Sequence, residues 1–255
     1  MKKKREHTPR ARFAKDIVCE FMPPTRKSNR VLILCAGAPV YPGRRADLLP
    51  FFAAKGYWVF LPRYRGTWES GGVFLKKSPH KDILDVMSGI SRGFVNLETG
   101  KRYRVARPHF FIIGSSFGGP AALLASQDRR VEKVVALSPV IDWSAQRGTT
   151  EPLPQLDRTT PLFWGMAYRG SKDAWRKLGK SATYSPKHHA GKISGEKIIV
   201  FHAKDDDVVP FAPTRAFAKR THAALVPLRT GGHLGLGYAV KPRCWKRIAR
   251  FFNAR

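Results

Sequence analysis

The chain has 255 residues, 43% of them hydrophobic, an ordinary composition for a globular protein and enough for one large α/β domain with a full core. Its three cysteines, Cys19, Cys35 and Cys244, lie far apart with no C-x-x-C pair, which argues against a disulfide framework or a zinc knuckle and suits a reducing compartment. The 47 Lys and Arg against 18 Asp and Glu, formally +29, attract nucleic acid or an anionic membrane surface without specificity. That excess is spread over residues 2–5, 101–107 and 241–250 with no recognisable nucleic-acid motif, so it equally fits a basic solubilising surface. No apolar leader segment follows the basic N-terminus, and a cytoplasmic location is expected.

In chain order, residues 1–15 are charged and poor in large apolar groups, and read as a loose tail before a single domain over 16–255. Residues 17–21 read as a short edge strand ended by Pro23-Pro24, and 31–35 (VLILC) as a buried strand leading to the turn Ala36-Gly37-Ala38-Pro39. Residues 44–55 carry Leu48, Leu49, Phe52 and Ala53 at helical spacing, and residues 57–61 form the next strand. A loop rich in Arg, Gly and Trp follows over 63–72. Residues 80–95 read as a helix with Ile83, Val86, Met87 and Ile90 on one face.

Strands are expected at 110–113, 133–137, 197–202 and 223–228, and helices at 120–126, 213–221 and 238–252. Residues 142–195, rich in Trp, Pro and Thr, break this alternation and read as an inserted cap of short helices. Strands alternating with helices predict a mostly parallel sheet covered on both faces, with its site beyond the carboxyl ends of the strands.

The most informative stretch is residues 109–127, HFFIIGSSFGGPAALLASQ. It lacks a formal charge, but its central Gly/Ser cluster and Pro120 do not suit a membrane span. Strand, Gly114-x-Ser116-x-Gly118, helix is the pattern of a nucleophile elbow. A sharp turn exposes the serine hydroxyl, and the flanking glycines leave room for the neighbouring strand and helix. The helix N-terminus beside it favours negative charge, as on a tetrahedral oxyanion. Ser115 stands one residue too early, and its side chain is expected to point away.

Ser116 needs a base. Of eight histidines, His233 lies in a Gly-rich loop just after the last strand, where it can reach the top of the sheet. His202 sits in a strand end and reads as packed. His188-His189 read as a solvated pair without metal-ligand spacing, and no metal or cofactor is expected. The orienting acid, which comes between serine and histidine in the chain order of such folds, is expected among Asp205, Asp206 and Asp207, in the loop after the strand at 197–202. The other two carboxylates then belong to a solvated turn or a helix cap.

Jointly, these motifs resemble the α/β-hydrolase fold, and within it the catalytic domain of the prolyl oligopeptidase-like (S9) serine peptidases and their esterase relatives. The resemblance runs from about Val31 to the C-terminus. It rests on Pro62-Arg63-Tyr64-Arg65-Gly66-Thr67 with Gly71-Gly72, on Asp82-Ile83-Leu84-Asp85-Val86 and on the elbow at 114–119. Tyr184-Ser185-Pro186, the segment 202–210 (HAKDDDVVP) and Gly232-His233 complete it.

The resemblance implies Asp206 as the acid and a Ser116–Asp206–His233 triad, with the backbone N–H groups of Phe117 and Ala38 as the oxyanion hole. It implies a serine hydrolase that cleaves an ester or a short peptide bond through an acyl-enzyme. Two positions depart from the family pattern. Ala36-Gly37-Ala38-Pro39 stands where the family usually has H-G-G-P, and Ala203 replaces a glycine. The family's N-terminal β-propeller is not in this sequence, which favours small esters over size-selected peptides.

Arg63 and Arg65 are expected near the site rim, either drawing a substrate carboxylate or, as the resemblance implies for one of them, forming a structural salt bridge. Trp143 and Trp164, with the other cap aromatics, line a substrate pocket or form the core of the cap. A catalytically inactive hydrolase fold that binds a partner, including a polyanion, is the alternative reading. Oligomeric state is not legible in the sequence.

Overall fold

The computed structural model describes residues 8–41, 48–146 and 148–254. The strands are β1 (Arg10–Phe13), β2 (Ile17–Met22), β3 (Arg30–Cys35), β4 (Trp58–Pro62), β5 (Phe94–Val95), β6 (Arg102–Tyr103), β7 (His109–Ser115), β8 (Val131–Leu137), β9 (Ile198–Ala203) and β10 (Ala224–Leu228). Eight of them form one sheet in the order β1-β2-β4-β3-β7-β8-β9-β10, and β5 and β6 make a separate small hairpin. β1 pairs with β2 and β2 with β4 in antiparallel fashion; every other neighbouring pair in the large sheet is parallel.

The helices are α1 (Leu49–Ala54), α2 (His80–Arg92), α3 (Gly118–Ala125), α4 (Leu153–Trp164), α5 (Ala174–Leu178), α6 (Pro186–His189), α7 (Phe211–Thr221) and α8 (Pro242–Asn253). Strand periodicity sorts the core between the two faces of the sheet. Val31, Ile33, Phe110 and Ile112 pack with Ile83, Val86 and Met87 of α2, Ala121 and Ala122 of α3 and Phe217 of α7. Their alternates Leu32, Leu34, Phe111 and Ile113 pack on the opposite face with Phe52 of α1 and Ile248 and Phe252 of α8.

Four expectations are corrected. Residues 10–13 are not part of a loose tail: Ala11 and Phe13 alternate with Arg10 and Arg12, turn inward and are buried, so β1 forms the sheet edge and β2 lies inside it. Phe13 packs so closely on α2 that a side chain at Gly89 would overlap its ring. The helix expected over 80–95 stops at Arg92, because Gly93 takes φ +110° and turns the chain into β5. The helix expected over 238–252 is a short 3-10 turn, Leu236–Val240, followed by α8, which begins at Pro242 as proline prefers. The expected cap ends early, since α6 already packs on α3 and α7.

Residues 1–7 of the expected tail, with the basic run at 2–5, lie outside the described residues. So do residues 44–47 of the helix expected over 44–55. β10 carries Pro227 and forms the other sheet edge, where a missing N–H costs least. All three cysteines are buried free thiols. Burial pushes the thiols of Cys19 and Cys35 well above the ordinary range and that of Cys244 up to about 12. Among the described residues, no helix is long and apolar enough to cross a membrane.

Candidate active site

β7 carries its apolar run straight into the elbow. Ser115 is its last residue and is buried, whereas Ser116 turns out of the strand at φ +52° and is partly exposed. A positive φ on a serine is strained backbone, held here by the surroundings. The Ser116 N–H donates to the Leu137 carbonyl (3.0 Å), and the Gly119 N–H donates back to the Ser116 carbonyl (3.0 Å).

The flanking glycines answer close approach rather than flexibility. A Cβ at Gly114 would overlap the Gly118 carbonyl, and one at Gly118 would overlap the Cys35 carbonyl. The turn expected to supply an oxyanion donor lies against Ser116. A Cβ on Gly37 would lie 3.3 Å from the Ser116 Cβ and 3.8 Å from its Oγ.

Phe117 is locked from behind. Its carbonyl accepts the Tyr184 hydroxyl at 2.6 Å, and its ring packs against Tyr64, Phe74, Trp143, Trp175 and Tyr184 with centroids 5.2–5.8 Å away. The N–H of Phe117 therefore sits on a rigid support beside Ser116, at the N-terminus of α3.

The 202–210 segment separates the three aspartates by role. The Asp206 carboxylate is solvent-inaccessible and faces His233 Nδ1 at 3.0 and 3.1 Å. It also accepts the N–H groups of Val208 (3.1 Å) and Val209 (2.9 Å). Burial alone would push its carboxyl up. Hydrogen bonds from His202, His233, Ser138 and the Val209 N–H outweigh that and hold it well below the usual carboxylate range.

Asp205 instead accepts the N–H groups of Gly231 (3.2 Å) and Gly232 (3.0 Å), which holds the loop that presents His233 and lowers its own carboxyl. Asp207 is exposed, and its carbonyl accepts the Thr150 N–H at 3.1 Å. An ionised Asp206 only accepts, so His233 carries its proton on Nδ1 and keeps a lone pair on Nε2.

Sequence reasoning missed two residues of this network. His202 is fully buried, as expected of a packed strand end, but its Nε2 lies 3.0 Å from the Val209 carbonyl and 3.2 Å from Asp206. Its Nδ1 accepts the Thr214 hydroxyl at 2.8 Å. Ser138 accepts the Leu234 N–H at 3.1 Å and bonds Asp206, tying the end of β8 to the histidine loop. The four-residue spacing from His202 to Asp206 was the available signal for the first. Ser138 had none, because its partners come from elsewhere in the chain.

Of the two readings of the expected substrate contacts, these four residues show the structural one in their partners. Arg63 borders a small cleft beside the 36–40 turn, yet it is 7% exposed and its guanidinium pairs with Glu20 (3.0 Å) and Glu69 (2.8 Å). Arg65 pairs with Asp16 (2.9 Å), Asp85 (2.8 Å) and Asp82. Both hold loops together. Trp143 is a core residue, donating to the Tyr184 carbonyl at 2.8 Å and stacking on that ring. Trp164 is half-buried against Trp68 and Tyr168. Among the described residues, no three His, Cys, Asp or Glu side chains group as metal ligands.

The sequence model of the prolyl oligopeptidase family matches residues 46–233. No curated protein matches the chain in sequence. Among solved structures, the Pyrococcus horikoshii acylaminoacyl peptidase superposes with a TM-score of 0.63 at 17% identity, covering 97% of this chain and 42% of that one. The chain thus spans less than half the length of the acylaminoacyl peptidases it matches. A Pyrococcus furiosus esterase gives a TM-score of 0.66 at 15% identity, covering 97% of this chain and 90% of that one. A probable hydrolytic enzyme of Pseudomonas aeruginosa gives 0.63 at 15% identity, with coverage of 93% and 90%. At such identities, the likeness speaks for the fold alone.

Proposed function

The chain belongs to the prolyl oligopeptidase family and has the α/β-hydrolase fold, and from that premise we propose that it is a serine hydrolase acting through Ser116, His233 and Asp206 on an ester or short peptide bond. The observation that carries this reading is the contact of His233 Nδ1 with the buried Asp206 carboxylate, which fixes the histidine tautomer, in a chain whose elbow holds Ser116 strained and partly exposed.

In the proposed reaction, Ser116 Oγ attacks the substrate carbonyl carbon while its proton passes to His233 Nε2. The carbonyl π pair moves onto oxygen, and the N–H groups of Phe117 and Ala38 receive that charge, each donor contributing roughly 3 kcal/mol to the transition state. The imidazolium then faces the Asp206 carboxylate, which stays ionised throughout. Collapse breaks the bond to the leaving group, which takes the proton from His233. Water, deprotonated by the same Nε2, releases the acid and restores Ser116.

The test is covalent labelling with a fluorophosphonate probe, mapped by mass spectrometry. Labelling is expected at Ser116, lost in Ser116→Ala and kept in Ser115→Ala. Turnover of short esters or aminoacyl anilides should fall roughly a million-fold in Ser116→Ala. Equal loss in both variants would remove Ser116 from its role. Absence of labelling on folded protein would return the chain to the reading of an inactive, partner-binding hydrolase fold.

A further inference from the structure

Six large hydrophobic residues stand exposed among the described residues, and three fall within five positions: Leu162 (76%), Phe163 (72%) and Met166 (78%). They occupy the end of α4 and the 3-10 turn after it, Gly165–Ala167. Arg158, also exposed, lies one turn before Leu162 on α4, so the two share a helix face, and Met166 follows in the 3-10 turn. Isolated exposed apolar side chains are common, but three adjacent ones of this size form a patch on the order of 400 Å², the size of the largest patch on an ordinary monomer, which is often a functional one.

The patch is wired to the site. Trp164, between Phe163 and Met166 in sequence, packs on Trp68 (5.9 Å) and Tyr168 (6.2 Å). The Tyr168 hydroxyl accepts the Val40 N–H at 2.9 Å, and the Trp68 indole N–H donates to the Val40 carbonyl at 3.1 Å. Val40 ends the turn that contacts Ser116. The exposed ring of Tyr41 then meets Trp68 at 5.3 Å.

Charge selects the occupant. The molecule carries +29, and the segment 142–185 has seven Lys and Arg against four Asp and Glu. Three of those four acids, Asp142, Asp157 and Asp173, already pair with Lys187, Arg176 and Lys177. A second copy would bring the same positive excess against the patch. The patch is also about half the ~800 Å² that each partner of a stable complex contributes. A surface that is negative outside and apolar beneath meets both features at once: basic side chains engage anionic headgroups while Leu, Phe and Met enter the acyl boundary.

We propose that the exposed end of α4, through Leu162, Phe163 and Met166 beside Arg158, docks the protein on an anionic lipid surface with the mouth of the candidate site turned towards it. The docking does not depend on the proposed chemistry, so it is measured on full-length Ser116→Ala protein. The measurement is co-flotation with vesicles of phosphatidylcholine alone or of equal parts phosphatidylcholine and phosphatidylglycerol.

Binding is expected on the mixed vesicles only, weakening as salt rises. Leu162→Ser with Phe163→Ser, which leaves charge unchanged, should weaken it roughly thirtyfold or more. The same pair of changes in the Ser116 protein should leave thermal unfolding and fluorophosphonate labelling unaltered, because both side chains face solvent.

Equal binding of the doubly substituted protein would reduce the effect to adsorption of a basic protein and overturn the proposal. Equal binding to the uncharged vesicles would overturn the selection by charge. A concentration-dependent dimer in sedimentation that the double substitution abolishes would give the patch to a second copy instead. Lipid docking without any labelling at Ser116 would leave this proposal standing and remove the hydrolase reading.

Discussion

At the scale of single residues, Asp206 is where most of the local chemistry converges. Its carboxylate accepts from two backbone N–H groups, from His233, and from the buried pair His202 and Ser138. Asp206→Asn keeps the volume but puts an N–H where His233 Nδ1–H now points. His233 must then turn its lone pair to Nδ1 and lose the acceptor at Nε2. The expected result is a kcat lower by roughly 10³–10⁴ with KM nearly unchanged, read by steady-state ester hydrolysis. Ser116 and His233 stand out in the sequence as candidates because each sits in a short glycine-bounded motif. Asp206 was separated from Asp205 and Asp207 only through a family resemblance, and the structure now gives each of the three its own partner. Arg63 misled because its partners, Glu20 and Glu69, lie on β2 and in a loop, and sequence spacing does not reveal such a pairing.

At the scale of elements, helix α2 opens with a residue that makes it sensitive to acid. His80 is its first residue, and burial, helped by the positive charges of Lys81 and His189, lowers the imidazole from 6.5 to about 4. A base depressed on folding takes up its proton in the unfolded chain first. Stability therefore rises with pH from about 4 to 6.5 and is flat above. His80→Asn should remove on the order of 2 kcal/mol of that slope, seen as a smaller difference between denaturation midpoints at pH 7 and pH 4.5. The strands of the parallel sheet were readable because burial on both faces demands continuous apolar runs. β1 was not, since its two inward residues are set among arginines and only the contact of Phe13 with Gly89 makes the alternation meaningful. The cap was legible as short helices but not in its bounds, because the return of α6 to α3 and α7 is a matter of tertiary packing.

At the scale of the whole molecule, Arg65 joins three parts of the chain: Asp16 after β1, its own loop after β4, and Asp82 and Asp85 on α2. Burial pushes the Asp82 carboxyl up while Arg65 draws it down, so removing the arginine strands a buried carboxylate. Arg65→Met is expected to cost about 3 kcal/mol in urea unfolding, and Arg65→Lys to recover only part of it, because an ammonium cannot fork between three carboxylates. The three cysteines add a property of the entire fold. Cys19 lies on β2 and Cys35 on β3, either side of β4, and Cys244 lies on the buried face of α8, each closed to solvent and held as a neutral thiol. The thiolate is the form that attacks an alkylating reagent, so the folded molecule is inert to one while each opening exposes a normal thiol. Cys35 immediately precedes the turn against Ser116, and Cys244 marks the far face of the sheet. Their separate alkylation rates therefore act as two clocks, one timing the opening of the site and the other the detachment of the last helix.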